Sequence, residues 1–315
     1  MIDLDASARH ALTAADEPQT PVEHLTPAAA RQQYLDGFAA VQKPLDDVAH
    51  CEERSVGGLR LKIWRGHGAP AAGAPALLYL HGGGWVIGAP ETHEDICRIL
   101  ANAVGAVVVS SDYRLAPEHR FPAAIEDCAT ALAFMVEHAG DLGIDAGRIV
   151  VGGDSAGGNL AAVLALMARN GTVPPVVGQI LIYPVTDQSQ TGESYTTCAE
   201  GYGLTAAGMR WFRDHYLTSR AEWDDWRASP LKAEGLAGVA PAIVILAGAD
   251  VLYSEGLAYA RRLEAEARCT TKIWPGQIHG FVSHGGIIPE AAEALAAIVE
   301  AWRGMDARLS APQAT

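Results

Sequence analysis

Arg148-Ile149-Val150-Val151-Gly152-Gly153-Asp154-Ser155-Ala156-Gly157-Gly158-Asn159 joins an apolar strand-like run, Arg148 to Val151, to a helix-like run from Asn159 to Arg169. At the joint stands the G-x-S-x-G pentapeptide Gly153–Gly157. A serine on a tight strand-to-helix turn projects its hydroxyl out of the turn, and glycines two residues to either side let strand and helix approach without Cβ clashes. Ser155 is therefore the candidate nucleophile. Taken alone, the pentapeptide also fits an ordinary glycine-rich turn, so the choice rests on partners elsewhere in the chain.

Upstream, the strand-like Ala76-Leu77-Leu78-Tyr79-Leu80 runs directly into His81-Gly82-Gly83-Gly84-Trp85. Acyl transfer must stabilise the oxyanion formed when a hydroxyl attacks a carbonyl, and preorganised backbone N–H groups do so with little reorganisation. Here the donors would be Gly83, Gly84 and Ala156. A serine hydroxyl also needs a base, itself oriented by a carboxylate, in the chain order Ser, acid, His. Asp250 follows the buried strand-like run Ala242–Gly248 by two residues. Thr270–Trp274, another strand-like run, leads through Pro275-Gly276 to His279-Gly280-Phe281. Both lie after strands, where the catalytic groups of an open parallel sheet collect. Asp187, after Gln179–Tyr183, competes with Asp250, and His284 competes with His279 from further beyond its strand. His81, His119 and His215 read as structural or surface imidazoles.

With HGGGW, GDSAGG, a post-strand Asp and a post-strand His-Gly-Phe in this order, the chain resembles the bacterial hormone-sensitive-lipase-like esterases of the α/β-hydrolase fold, in the branch with Asp before the nucleophile. Asp112 to His119 with Phe121 to Ala124 is similar to a loop of that family, and the resemblance spans about residues 50 to 303. It implies that Asp112, Arg114 and Glu118 brace loops around the site. One segment departs from the family pattern. Val251 and Ser254 stand where the family usually has proline and aspartate, which frees φ at 251, removes a carboxylate near a helix start, and predicts a less constrained acid loop.

After residue 75, β-like and helical runs alternate, the pattern of a mostly parallel sheet flanked by helices. An antiparallel pair over roughly 51–56 and 59–64 precedes it. Two long stretches break the alternation: residues 1–48, with helical pieces broken by Pro18, Pro21 and Pro27, and residues 185–229, with an amphipathic helix over Thr205–Leu217. Connections of such length are uncommon unless functional. The resemblance implies that 1–48 and 185–229 form a helical cap over a catalytic domain of 49–184 and 230–315. Trp85, Val86 and Leu204 would then line an acyl pocket, with core packing as the competing role for each. The Glu222-Trp223-Asp224-Asp225-Trp226 cluster reads as a solvated, aromatic-studded face.

The chain's 315 residues, 49% of them hydrophobic and 19% charged, describe a compact globule rather than a disordered chain. A net charge of −14 disfavours nucleic acid and anionic membrane surfaces as partners, and no run approaches the about 18 apolar residues that span a bilayer. No secretory signal is visible after Met1. The five scattered cysteines predict reduced thiols, a cytoplasmic location and no metal site. With the triad motifs, the resemblance implies a serine carboxylesterase acting on short- to medium-chain esters of small molecules, without cofactor or metal. An amidase or arylformamidase using the same triad, and a non-catalytic receptor, are the rival readings. The sequence leaves oligomeric state open, a homo-oligomer included.

Overall fold

The apolar runs assemble into one eight-stranded sheet of β1 (His50–Val56), β2 (Leu59–Arg65), β3 (Ala74–Leu80), β4 (Val107–Ser111), β5 (Ile144–Asp154), β6 (Gly178–Ile182), β7 (Ala242–Ala249) and β8 (Cys269–Ile278). The computed structural model describes residues 2–13 and 20–309; Met1, Pro18 and residues 310–315 lie outside the described residues. In space the strands run β1-β2-β4-β3-β5-β6-β7-β8, with β2 antiparallel to β1 and β4 and every other pair parallel. Helices α1 (Ala6–Ala11) and α2 (Pro27–Val41) precede the sheet. The crossovers that parallel neighbours require contain α3 (Glu94–Val104), α4 (Ala123–Glu137) and α5 (Ala156–Arg169). Between β6 and β7 lie α6 (Ser194–Thr197) and α7 (Ala206–Tyr216), while α8 (Tyr253–Glu266) and α9 (Glu290–Leu309) follow the last two strands.

Both faces of the sheet are covered, so its central strands read as continuous apolar runs rather than as alternation. Successive side chains still point to opposite faces. On β3, Leu78 and Leu80 enter the core shared with Leu160 and Leu164 of α5 and Leu263 of α8, whereas Leu77 and Tyr79 enter the core with Leu100 of α3 and Trp302 of α9. The expected mostly parallel α/β sheet with flanking helices is the observed architecture. Among the described residues no helix is long and apolar enough to cross a membrane.

Element boundaries differ where polarity hid them. β5 begins at Ile144, before the expected Arg148, because the buried Ile144 is followed by Asp145, Ala146 and Gly147, residue types depleted in strands. α5 begins at Ala156, three residues before Asn159: buried glycines that carry no helical signal form its first turn. β8 continues through Pro275-Gly276, read from sequence as a break. It is an edge strand whose register with β7 shifts past Trp274, and edges and bulges are places where a residue without an N–H is tolerated.

The two interrupting segments touch. Thr205 caps α7 by accepting the Gly208 N–H at 2.9 Å, and its hydroxyl also reaches Glu23 at 3.5 Å. Arg31 on α2 donates to the Val86 and Ala116 carbonyls (2.8 and 2.9 Å) and pairs with Glu118. α1 is placed otherwise: Asp5 N–H donates to the Gly276 carbonyl and Gln277 Nε2 to the Asp5 carboxylate, seating this helix against β8. The Glu222–Trp226 cluster is less solvated than expected, with Trp223 and Trp226 half-buried and the buried Arg213 guanidinium 3.8 Å from the Trp223 ring centre.

Candidate active site

Ser155 sits between the last residue of β5 and the first of α5 with φ 54° and ψ −117°, a region that L-residues avoid. The surroundings hold it there. Its N–H donates to the Ile182 carbonyl at 2.8 Å, and its own carbonyl accepts from Asn159 N and Val185 N. A Cβ at Gly153 or Gly157 would overlap the Leu80 carbonyl oxygen, so the turn closes against β3 only with glycine at both places.

The structure brings Ser155, His279 and Asp250 together from the ends of β5, β8 and β7. His279 Nε2 lies 3.0 Å from Ser155 Oγ, and His279 Nδ1 lies 2.7 Å from Asp250 Oδ2. With Nδ1–H donating to the carboxylate, Nε2 presents its lone pair to the serine hydroxyl. Asp250 is 1% exposed, and its Oδ1 accepts the Leu252 N–H at 2.9 Å, which fixes the carboxylate's orientation. Tyr183 packs its ring 4.6 Å from the imidazole.

The competing residues are engaged elsewhere. Asp187 accepts from Ser189 N–H and faces Lys232 Nζ at 3.7 Å. His284 turns back to its own Gly280 carbonyl, and burial lowers its pKa. His81 is wholly buried, stacked on Tyr113 at 4.2 Å, and pushed down to about 4 by burial. Asp112, Arg114 and Glu118 bond to Arg60, Asp127 and Arg31 respectively.

The acid loop is held by means the sequence reading missed. Ser194 N–H donates to Ser254 Oγ at 2.9 Å, Ser254 N–H donates to Ser194 Oγ at 3.1 Å, and Ser194 Oγ–H donates to the Val251 carbonyl at 2.5 Å. This reciprocal pair ties α6 to the start of α8 and supplies the constraint whose loss was expected from Val251 and Ser254. One residue on, the buried Glu255 accepts the N–H groups of Thr186 and Asp187 at 2.7 and 3.2 Å. A serine 60 positions away carries no sequence signal of such a role.

The glycine loop after β3 folds tightly, with Val86 and Ile87 N–H both donating to the Gly83 carbonyl. Gly83 and Gly84 take φ of 115° and 57°, and a Cβ on Gly84 would overlap the Phe212 ring of α7. Ala156 N–H opens α5, where a helix has no carbonyl partner of its own and favours negative charge. Trp85 and Val86, expected as pocket contacts, are wholly buried, Trp85 stacked on Tyr216 at 4.3 Å. Both side chains lie in the core rather than at an open surface. Leu204 is half-buried and packs on the core.

A family model of the alpha/beta hydrolase fold matches residues 77–283. An ethyl acetate hydrolase of Pseudomonas putida is 39% identical over 290 residues, 89% of this chain and 91% of that protein. Esterase LipI of Mycobacterium tuberculosis is 39% identical over 82% of this chain and 86% of its own length. Among solved structures, an ester-hydrolase from the metagenome of Lake Arreo, complexed with a derivative of bipyridine phosphonate, superposes with a TM-score of 0.89 at 38% identity, covering 98% of this chain and all of the other.

Proposed function

Because the chain belongs to the hormone-sensitive-lipase-like esterases of the alpha/beta hydrolase fold, and is therefore a carboxylic ester hydrolase, we propose that Ser155, His279 and Asp250 are its catalytic triad. The observation that carries this reading is the unbroken line of hydrogen bonds, 3.0 Å from Ser155 to His279 and 2.7 Å from His279 to Asp250. Ser155 Oγ attacks the ester carbonyl as His279 Nε2 takes its proton, while Asp250 holds the tautomer and stabilises the imidazolium. The carbonyl oxygen becomes an oxyanion held by the N–H groups of Gly83, Gly84 and Ala156. Collapse expels the alcohol, which takes its proton from His279. Water then repeats the sequence on the acyl-enzyme, with His279 as base, and releases the acid and free Ser155.

Of the expected cap segments 1–48 and 185–229, the described residues 20–48 and 185–229 form a helical cap over the catalytic domain expected at 49–184 and 230–315, while α1 lies against β8. Support comes from Arg31, which ties α2 to the loop after Gly84, and from Phe212, which seats α7 on Gly84 itself. A roof this close to the oxyanion site limits the room for an acyl chain, so short- to medium-chain esters are the substrates. The five unpaired cysteines suit a reducing cytoplasm.

Ser155→Ala is expected to lower kcat on a short-chain p-nitrophenyl ester by about 10^4- to 10^6-fold. An aryl phosphonate, which places a tetrahedral phosphorus on the attacking oxygen, should label Ser155 alone by mass spectrometry. An active alanine variant, or a label on another serine, overturns the assignment. Faster turnover of a matched anilide or N-formyl aromatic amine than of the ester would place the substrate among amides instead.

A further inference from the structure

Directly beneath the nucleophile, Asp154 is a carboxylate with 4% exposure that the triad chemistry does not use. Its Oδ1 accepts the Gly82 N–H and the Tyr79 hydroxyl, each at 3.0 Å. Gly82 is the residue just before the proposed oxyanion donors, and it lies so close that a Cβ there would overlap Asp154 Oδ2. The carboxylate thus grips the base of the oxyanion loop. The remaining partner is His93, wholly buried, whose Nε2 lies 3.1 and 3.2 Å from the two carboxylate oxygens.

Hydrogen-bond accounting along this chain fixes one of the two ring protons of His93. Thr92 has a single hydroxyl proton, and at 2.7 Å from the Ala89 carbonyl that proton is committed there, since carbonyl oxygen can only accept. The 2.8 Å contact between Thr92 Oγ1 and His93 Nδ1 therefore has Nδ1–H as donor. On the other side, burial pushes the Asp154 pKa up, but a charged His93, its hydrogen bond and the Tyr79 bond outweigh it, so that beside an imidazolium the carboxyl lies below its ordinary value. A carboxylate in that state only accepts, and the His93 Nε2 facing both of its oxygens is then the donor.

We propose that His93 and Asp154 form a buried imidazolium–carboxylate pair that positions the oxyanion loop: Asp154 anchors Gly82, and His93 cancels the negative charge that would otherwise sit beneath the developing oxyanion. An unpaired carboxylate next to the nucleophile would oppose the charge that the N–H donors stabilise, and in a water-poor site that opposition is little screened. The pair also links the cap to the chemistry. Phe38 of α2 packs its ring 5.5 Å from the His93 ring, so the N-terminal segment covers the pair that sets the loop.

The proposal rests on the esterase reading above, and its test starts from wild-type kcat, so a chain without ester turnover fails before any variant is compared. Asp154→Asn keeps an acceptor for Gly82 and Tyr79 and removes the charge; Asp154→Ala removes the anchor. The alanine variant should lose about 10^2- to 10^3-fold in kcat, the loss of an oxyanion donor, with KM within a few-fold and the affinity for a trifluoromethyl ketone falling in parallel. The asparagine variant should stay within about 10-fold of wild type, since its amide oxygen still accepts both bonds. His93→Gln retains a donor and lacks the cation. It should reduce kcat by about 10-fold or more where Asp154 is intact and have little effect in the Asp154→Asn background, a coupling that a double-mutant cycle reads. Nitrogen NMR of labelled histidine, with His93→Gln identifying the signal, should show both His93 nitrogens protonated near neutral pH. A neutral His93 signature, or equal effects of His93→Gln in both backgrounds, overturns the ion pair, whether or not Asp154→Ala folds. Equal kcat in the asparagine and alanine variants overturns the anchoring role.

Discussion

Replacing Glu255 by glutamine should make the protein more stable, and increasingly so as pH rises. Glu255 opens α8 beneath the acid loop, 4% exposed. Burial raises its pKa from 4.5 to about 8, helped by the charge of Asp187, against the lowering effect of the Thr186 and Asp187 N–H bonds. Below pH 4.5 both folded and unfolded chains carry the proton. Between 4.5 and about 8 the unfolded chain has released it and the folded chain has kept it, so unfolding releases a proton and stability falls as pH rises. At about 1.4 kcal/mol per pH unit across that window, the full loss by the upper end is about 5 kcal/mol. Above it both states are ionised and this contribution no longer changes. The amide of the Glu255→Gln variant can still accept from Thr186 and Asp187 and never ionises. Urea denaturation of wild type and Glu255→Gln at matched pH values isolates this group, because all other titrations cancel in the difference. That difference should be within about 1 kcal/mol near pH 5 and favour glutamine by several kcal/mol near pH 9. A difference that stays constant over the range, or that favours glutamate at the alkaline end, would refute a buried neutral carboxyl here.

Asp250→Asn offers an N–H where Nδ1–H of His279 now donates, favouring the wrong tautomer, and should lower kcat by up to about 10^4-fold; Asp187→Asn, whose parent faces Lys232, should be mild in the same p-nitrophenyl ester assay. Arg31→Ala removes the contacts between α2 and the Val86 and Ala116 carbonyls. It should destabilise the fold by about 2 kcal/mol by chemical denaturation, as lost charged hydrogen bonds do, and broaden acyl-chain selectivity while phosphonate labelling of Ser155 persists; unchanged selectivity would separate α2 from the substrate site.

Much of the site was legible because its parts are written as local patterns. The strand-turn-helix around Ser155 and the triple glycine after β3 announce their geometry within a few residues, and the chain order of Asp250 and His279 follows from which strands they end. The support of the site was not legible, because it is made of long-range hydrogen bonds between residues common on any surface. Ser194 meets Ser254 across 60 positions, and Asp154 meets Tyr79 across 75. Polarity also misled. Pro275 reads as a break but sits in an edge strand, and Trp223 beside three acids reads as solvated yet carries the Arg213 guanidinium. Trp85 was expected to face the substrate because apolar residues after a catalytic loop fit a pocket wall; its stacking on Tyr216 turns it inward.

The three groups assigned to the oxyanion belong to the main chain of Gly83, Gly84 and Ala156, and this has a consequence for how such a protein changes. No single codon change deletes a peptide N–H without inserting proline, so a conventional side-chain scan passes over this part of the machinery. Substitutions in the loop itself register as collisions, as a methyl on Gly84 would against Phe212. Heritable adjustment of the donors' position must therefore come from neighbours that hold the loop, such as Asp154, Tyr79 and Phe212. A library aimed at altered acyl selectivity would find its graded variation in that supporting layer, while the residues that touch the reacting carbonyl offer only all-or-none outcomes.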